Sequence, residues 1–144
     1  DFEIQSKLKV EGSPVAGVYP EAYIALRMDN RVSTTDLAWY SGYLFGYYSN
    51  GKYVVWKVNK DGSRTALAGP TYSAYIHKNG NFANWNWLRV VVDGNKLDYY
   101  MNKELLVSLK DSSYSIGFLG FEMKNPGNTP TTMSVDWVSV YLIE

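Results

Sequence analysis

At 144 residues the chain has the size of one domain, and its 14 lysines and arginines balance 14 aspartates and glutamates, so the basic excess that nucleic acid or an anionic lipid surface demands is missing. Cysteine is absent, which excludes disulfides, thiolate metal sites and cysteine nucleophiles, and no apolar run approaches the length of a membrane span. With 13 tyrosines and 5 tryptophans, the composition suits an all-β surface domain. The chain opens at Asp1 inside a strand pattern, without an initiator methionine or a signal peptide, and is read as a mature product or an excised module.

Phe2, Ile4, Leu8 and Val10 alternate with Glu3, Gln5, Lys7 and Lys9, the period of a half-buried strand. Gly12-Ser13-Pro14 ends it. A second strand is predicted from Ala22 to Met28, with Ile24, Leu26 and Met28 inward and Tyr23, Ala25 and Arg27 outward. Asp29 to Ser41 read as a polar loop carrying Trp39 and Tyr40. The runs Tyr43 to Tyr48 and Tyr53 to Asn59 flank Asn50-Gly51, a strong hairpin signal. Its expected pairs are Tyr47 with Val54, Phe45 with Trp56 and Tyr43 with Val58, all in the core. That register leaves Leu44, Tyr48, Tyr53, Val55 and Lys57 on the other face.

Asp61-Gly62 marks another turn, followed by a less regular stretch from Arg64 to Asn84 in which TYSAYI is a candidate short strand. Asn84 to Asp111 then reads as three consecutive strands with a hairpin at Asp93-Gly94. Leu88, Val90 and Val92 should share the buried face with Leu97, Tyr99 and Met101, and Arg89 and Val91 the wet face with Lys96, Asp98 and Tyr100. Ile116 to Lys124 and Met133 to Leu142 supply two last strands. With no helical period and turns at short, regular spacing, the pattern predicts a single all-β domain over residues 1–144, a two-sheet antiparallel sandwich or jelly roll.

The order GYLFGYYSNGKYVVWKV, WNWLRVVVDGNKLDYYMNKELL, SIGFLGF and SVDWVSVYL resembles the concanavalin A-like, laminin-G-like jelly roll of bacterial sugar-binding modules and related sugar hydrolases. The nearest echoes are Trp85-Asn86 before Leu88-Arg89-Val90, the Tyr-x-Asn from Tyr100 to Asn102, and Val135-Asp136 before Val138. The pattern departs at Trp137, where the family often has a small polar residue, and in the Trp39 loop. The resemblance covers nearly the whole chain and implies a carbohydrate partner, an extracellular or cell-surface location and attachment to other domains. A fold shared by many functions does not transfer any one of them.

The expected ligand-contacting set is Arg27, Asp29, Trp39, Tyr40, Trp87, Tyr100 and Glu122. Trp85 and Trp56 are expected in the core. Trp87 shares parity with Arg89 and so falls on an outer sheet surface with Tyr100, where it forms either a stacking platform or a patch packed under a loop. An arginine at the position of Arg27 often reaches the ligand in the sugar-binding relatives; the competing account is an ion pair with Asp29, Glu21 or Glu122. No strand shows the alternating carboxylates with which retaining glucanases of this jelly roll cleave their substrates, so no catalytic residue is expected. The enzyme alternative requires Glu21, Asp29 and Glu122 to converge from different strands. A structural or adhesive domain is the other alternative. His77, the single histidine, is expected on the surface. No cofactor or metal is expected, and calcium at Asp136 is the one cation site considered.

Overall fold

The computed structural model describes residues 1–29, 41–78, 84–128 and 130–143. Ten strands run in chain order: β1 (Phe2–Glu11), β2 (Glu21–Met28), β3 (Gly42–Tyr48), β4 (Lys52–Val58), β5 (Arg64–Tyr72), β6 (Asn86–Asp93), β7 (Lys96–Met101), β8 (Glu104–Lys110), β9 (Phe118–Lys124) and β10 (Thr132–Leu142). They form two five-stranded sheets, β10-β1-β6-β7-β8 and β5-β4-β3-β2-β9, antiparallel at every junction. The result is the expected jelly-roll sandwich. Between the sheets lies a core of Ile4, Leu8, Val10, Ile24, Leu26, Tyr43, Phe45, Tyr47, Leu88, Val90, Val92, Leu97, Tyr99 and Met101. Edge-to-face rings tie the two halves together, Phe45 on Tyr99 at 5.5 Å and Tyr43 on Tyr114 at 5.4 Å.

The β6–β7 hairpin has the expected register, with Leu88, Val90 and Val92 opposite Met101, Tyr99 and Leu97. The β3–β4 hairpin does not. Tyr47 faces Tyr53, Phe45 faces Val55 and Leu44 faces Trp56, one residue away from the expected pairing. The loop holds three residues between Tyr48 and Lys52 rather than two, with Gly51 at φ +92° and its N–H bonded to the Tyr48 carbonyl at 2.9 Å, a turn followed by a left-handed residue. A slip of one residue exchanges the faces of a strand. Tyr53 and Val55 therefore pack inward, and Trp56 leaves the main core for the outer face, where it packs half-buried beside Leu44 and Tyr23.

A bulge between Ala25 and Met28 reverses the end of β2 in the same way. Arg27 has φ +52°, so Met28 turns to the outer cluster and Arg27 turns in, opposite to the expected sense of both. Trp85 is also displaced from its expected core place. It is half-buried under the Lys7 and Lys9 ammonium groups, at 5.2 and 5.4 Å, and its neighbour Asn86 is the buried residue. Finally, β5 takes up the first part of the irregular stretch, and TYSAYI contributes only Thr71 and Tyr72 to it rather than forming a strand of its own. Gly69-Pro70 hid it; a proline is tolerated there because β5 is an edge strand.

Candidate functional site

The outer face of the second sheet carries a polar cluster on an apolar floor. Lys124, Glu21 and Tyr48 form one cross-strand row, Glu122, Tyr23, Gly46 and Val54 the next, and Gly120, Ala25, Leu44, Trp56 and Ala66 a third. Gly46 is needed where it stands: a Cβ there would meet the Tyr23 ring at 2.3 Å and the Ala22 carbonyl at 2.2 Å. The tyrosine ring thus lies across the neighbouring strand. Its hydroxyl accepts a hydrogen bond from the Trp56 indole N–H at 3.2 Å and donates to Glu21, whose other oxygen is 3.7 Å from Lys124 Nζ. Burial pushes the Tyr23 hydroxyl far above its ordinary pKa, and the neighbouring Glu21 charge pushes the same way. Tyr23 is a fixed neutral hydroxyl at any physiological pH.

Arg64 of β5 forms an ion pair with Glu122 of β9 and passes over the Tyr23 ring, its Cζ 6.0 Å from the centroid. These are the two edge strands of the sheet. In a flat sheet four strand spacings separate them by about 19 Å, beyond the combined reach of the two side chains. The contact means that the sheet curls and this face is concave. Arg64 engages one Glu122 oxygen; Oε2 is buried and has no hydrogen-bond partner among the described residues, a state that is costly for a charged group. A hydroxyl donor would satisfy it.

The residues expected at the site fall in three places. Glu122 lies on the concave face. Trp87 and Tyr100 lie on the outer face of the first sheet, as their parity requires. There the Trp87 indole N–H bonds Gln5 at 3.0 Å, its ring meets Trp137 edge-on at 5.7 Å and Lys103 Nζ at 5.8 Å, and Tyr100 stacks under Arg89 at 4.6 Å. Arg89 also pairs with Glu3 at 2.6 Å, and this hydrogen bond lowers the Glu3 pKa.

Arg27 and Asp29 come together at one end of the sandwich, lining a cavity of about 480 Å³ with Ser41, Tyr114, Ile116 and Phe118. Arg27 is only 9% exposed; its Nη1 and Nη2 donate to the carbonyls of Tyr114 and Gly94 at 2.9 and 3.0 Å, bridging the sheets. Trp39 and Tyr40 lie outside the described residues. Asp136 accepts a bond from Lys7 at 3.2 Å. Among the described residues, no three histidine or acidic side chains converge to hold a metal ion. His77 is exposed. Tyr23, Tyr48, Trp56 and Arg64 were not expected in a shared site, and Glu21 was expected beside Glu122 only under the enzyme alternative. The alternation of Glu21 with Tyr23 was the available signal, and the shifted hairpin register concealed the rest.

No family model and no curated protein matches the sequence. Among solved structures the chain is similar to the carbohydrate-binding module CBM66 from Bacillus subtilis, at 17% identity and a TM-score of 0.72 over 99% of this chain and 75% of that one. It is also similar to sheep galectin-11, at 14% identity and 0.56 over 96% and 88%. A provisionally assigned glycosyl hydrolase from Parabacteroides distasonis matches at 14% identity and 0.57 over 99% and 72%. At such identities the likeness is one of fold. The fold is a jelly roll that carbohydrate-binding modules and galectins share.

Proposed function

We propose that the concave face of the second sheet binds carbohydrate without cleaving it, and that the chain acts as an extracellular, lectin-like module. The observation that carries this reading is the buried, half-satisfied Glu122 carboxylate beside Arg64 and Trp56 on a concave surface. A sugar presents an apolar ring face and adjacent hydroxyls. Trp56 takes the ring face, Glu122 Oε2 accepts from one hydroxyl once the ligand displaces the side chains that cover it, and the planar guanidinium of Arg64 donates to another. The fold's occurrence in carbohydrate-binding modules and galectins supports the same reading.

Glu21 and Glu122 stand in adjacent rows of this face, the observation that favours the hydrolase alternative. Asp29 lies at the end cavity instead, and Glu21 and Glu122 are engaged by Lys124 and Arg64. Binding and turnover separate the two readings. Calorimetry against a panel of neutral oligo- and polysaccharides should give dissociation constants from micromolar to millimolar, about 4 to 8 kcal/mol. Glu122→Gln and Arg64→Lys should each weaken binding about tenfold or more, whereas Trp87→Ala on the opposite sheet should leave it unchanged. Loss on Trp87→Ala with Glu122→Gln intact would move the site to the first sheet, and release of reducing ends would make the protein an enzyme.

A further inference from the structure

The inner row of β10 is uncovered. Val138, Val140 and Leu142 pair with Ser6, Ile4 and Phe2 and so point to the side of the sheet that carries the core, yet they are 49%, 50% and 89% exposed. Leu119 of β9 is exposed as well. An apolar slot of about 330 Å³ runs between the two edge strands, lined by Phe2, Ile116, Leu119, Val140 and Leu142. Apolar side chains that face a core and still meet water mark a surface that is closed by something else.

The chemistry of the edge indicates what closes it. Free edges are normally protected by charges or proline. β8 ends in Glu104 and Lys110, β5 carries Arg64 and Pro70, and β9 has Glu122 and Lys124. From Trp137 to Ile143 the β10 edge has no charge, no proline and no glycine. Its sequence is also self-complementary. Paired antiparallel with itself about Val140, it sets Val138 against Leu142 on the inner row and Ser139 against Tyr141 on the outer row, with apolar Trp137 and Ile143 at the ends. The bulge at Lys7/Leu8, where Asp136 is left without a strand partner, ends the ladder before that charge is drawn in.

We infer that β10 pairs with β10 of a second copy of this chain, making one continuous ten-stranded sheet across a twofold axis. The partner's Val138, Val140 and Leu142 cover the exposed row of the first copy, and backbone groups left open at the edge are satisfied by the ladder. The concave face lies on the other sheet, away from this edge.

Sedimentation equilibrium of the intact chain at about 10 μM and above should return twice the 16.3 kDa chain mass. Val140→Lys sets two ammonium groups against each other at the axis and should give a monomer with an unchanged far-ultraviolet spectrum, since that side chain is half-exposed in one copy. Leu105→Lys, on the β8 edge, should remain dimeric. Hydrogen exchange adds a second readout: the β10 amides that point away from β1 should be protected in the wild type and fast in Val140→Lys. A monomeric wild type overturns the inference, and protection of the outward β10 amides in that monomer would hand the edge to a flanking or foreign strand. A Val140→Lys dimer, or a Leu105→Lys monomer, overturns it too.

Discussion

Two asparagines explain why the Trp-Asn and Tyr-x-Asn echoes recur together. Asn86 is buried; its amide donates to the His77 carbonyl at 3.0 Å, and its oxygen accepts from the His77 N–H at 2.8 Å and from Asn102 at 2.9 Å. The Asn102 Oδ1 in turn accepts from the Trp87 N–H at 2.8 Å. Alanine at Asn86 strands several buried polar groups at once, and we expect it to cost about 2 to 4 kcal/mol in urea unfolding. Asp111 is a different residue-scale case. Burial raises its pKa, but hydrogen bonds from the Tyr43 hydroxyl and from Ser113, with Lys57 nearby, outweigh this and hold it at about 2. A carboxyl lowered by folding contributes stability that is complete above its unfolded value and is lost as pH falls through the folded one. Stability should therefore drop between about pH 4 and pH 2, by roughly 1 to 2 kcal/mol for this group, and Asp111→Asn should flatten that part of the acid profile.

At the scale of elements, the β3–β4 hairpin decides the chemistry of the concave face. One extra loop residue brings Trp56 into line with Leu44 and within reach of Tyr23. Alanine at Gly51, whose φ is +92°, should cost about 1 kcal/mol and should leave sugar binding intact if the register holds. Gly46→Ala is more severe, because the new methyl meets a backbone carbonyl at 2.2 Å as well as the Tyr23 ring. We expect about 2 to 4 kcal/mol of lost stability, together with weakened binding as Tyr23 is displaced. Thermal melts alongside calorimetry would distinguish the two substitutions. Alternation made β1 and β6 legible in the sequence, because each has one buried face and one partly exposed face; in β7 the outward Asp98 is buried as well. β2 was harder: all of its side chains are buried, so the pattern could not tell the main core from the covered outer cluster.

For the whole molecule, curvature is the property that turns a generic sandwich into a candidate binding protein. The Arg64–Glu122 contact joins residues 58 positions apart on opposite edges, and severing it with Arg64→Ala should relax the face and weaken sugar binding more than it lowers the melting temperature. The sequence by itself determined the all-β class, the two strong hairpins, most of the inter-sheet core and the outer placement of Trp87 and Tyr100. Those follow from period-2 alternation and turn chemistry, which are local. Only the tertiary structure decided that Trp56 faces out and Arg27 faces in, since a hairpin loop of three residues and a bulge each reverse a face, and neither leaves a mark in the alternation. The same holds for the concave cluster of Glu21, Tyr23, Trp56, Arg64 and Glu122. Its members come from four strands, and they meet through twist and curl, which accumulate over a whole sheet and are written in no single segment.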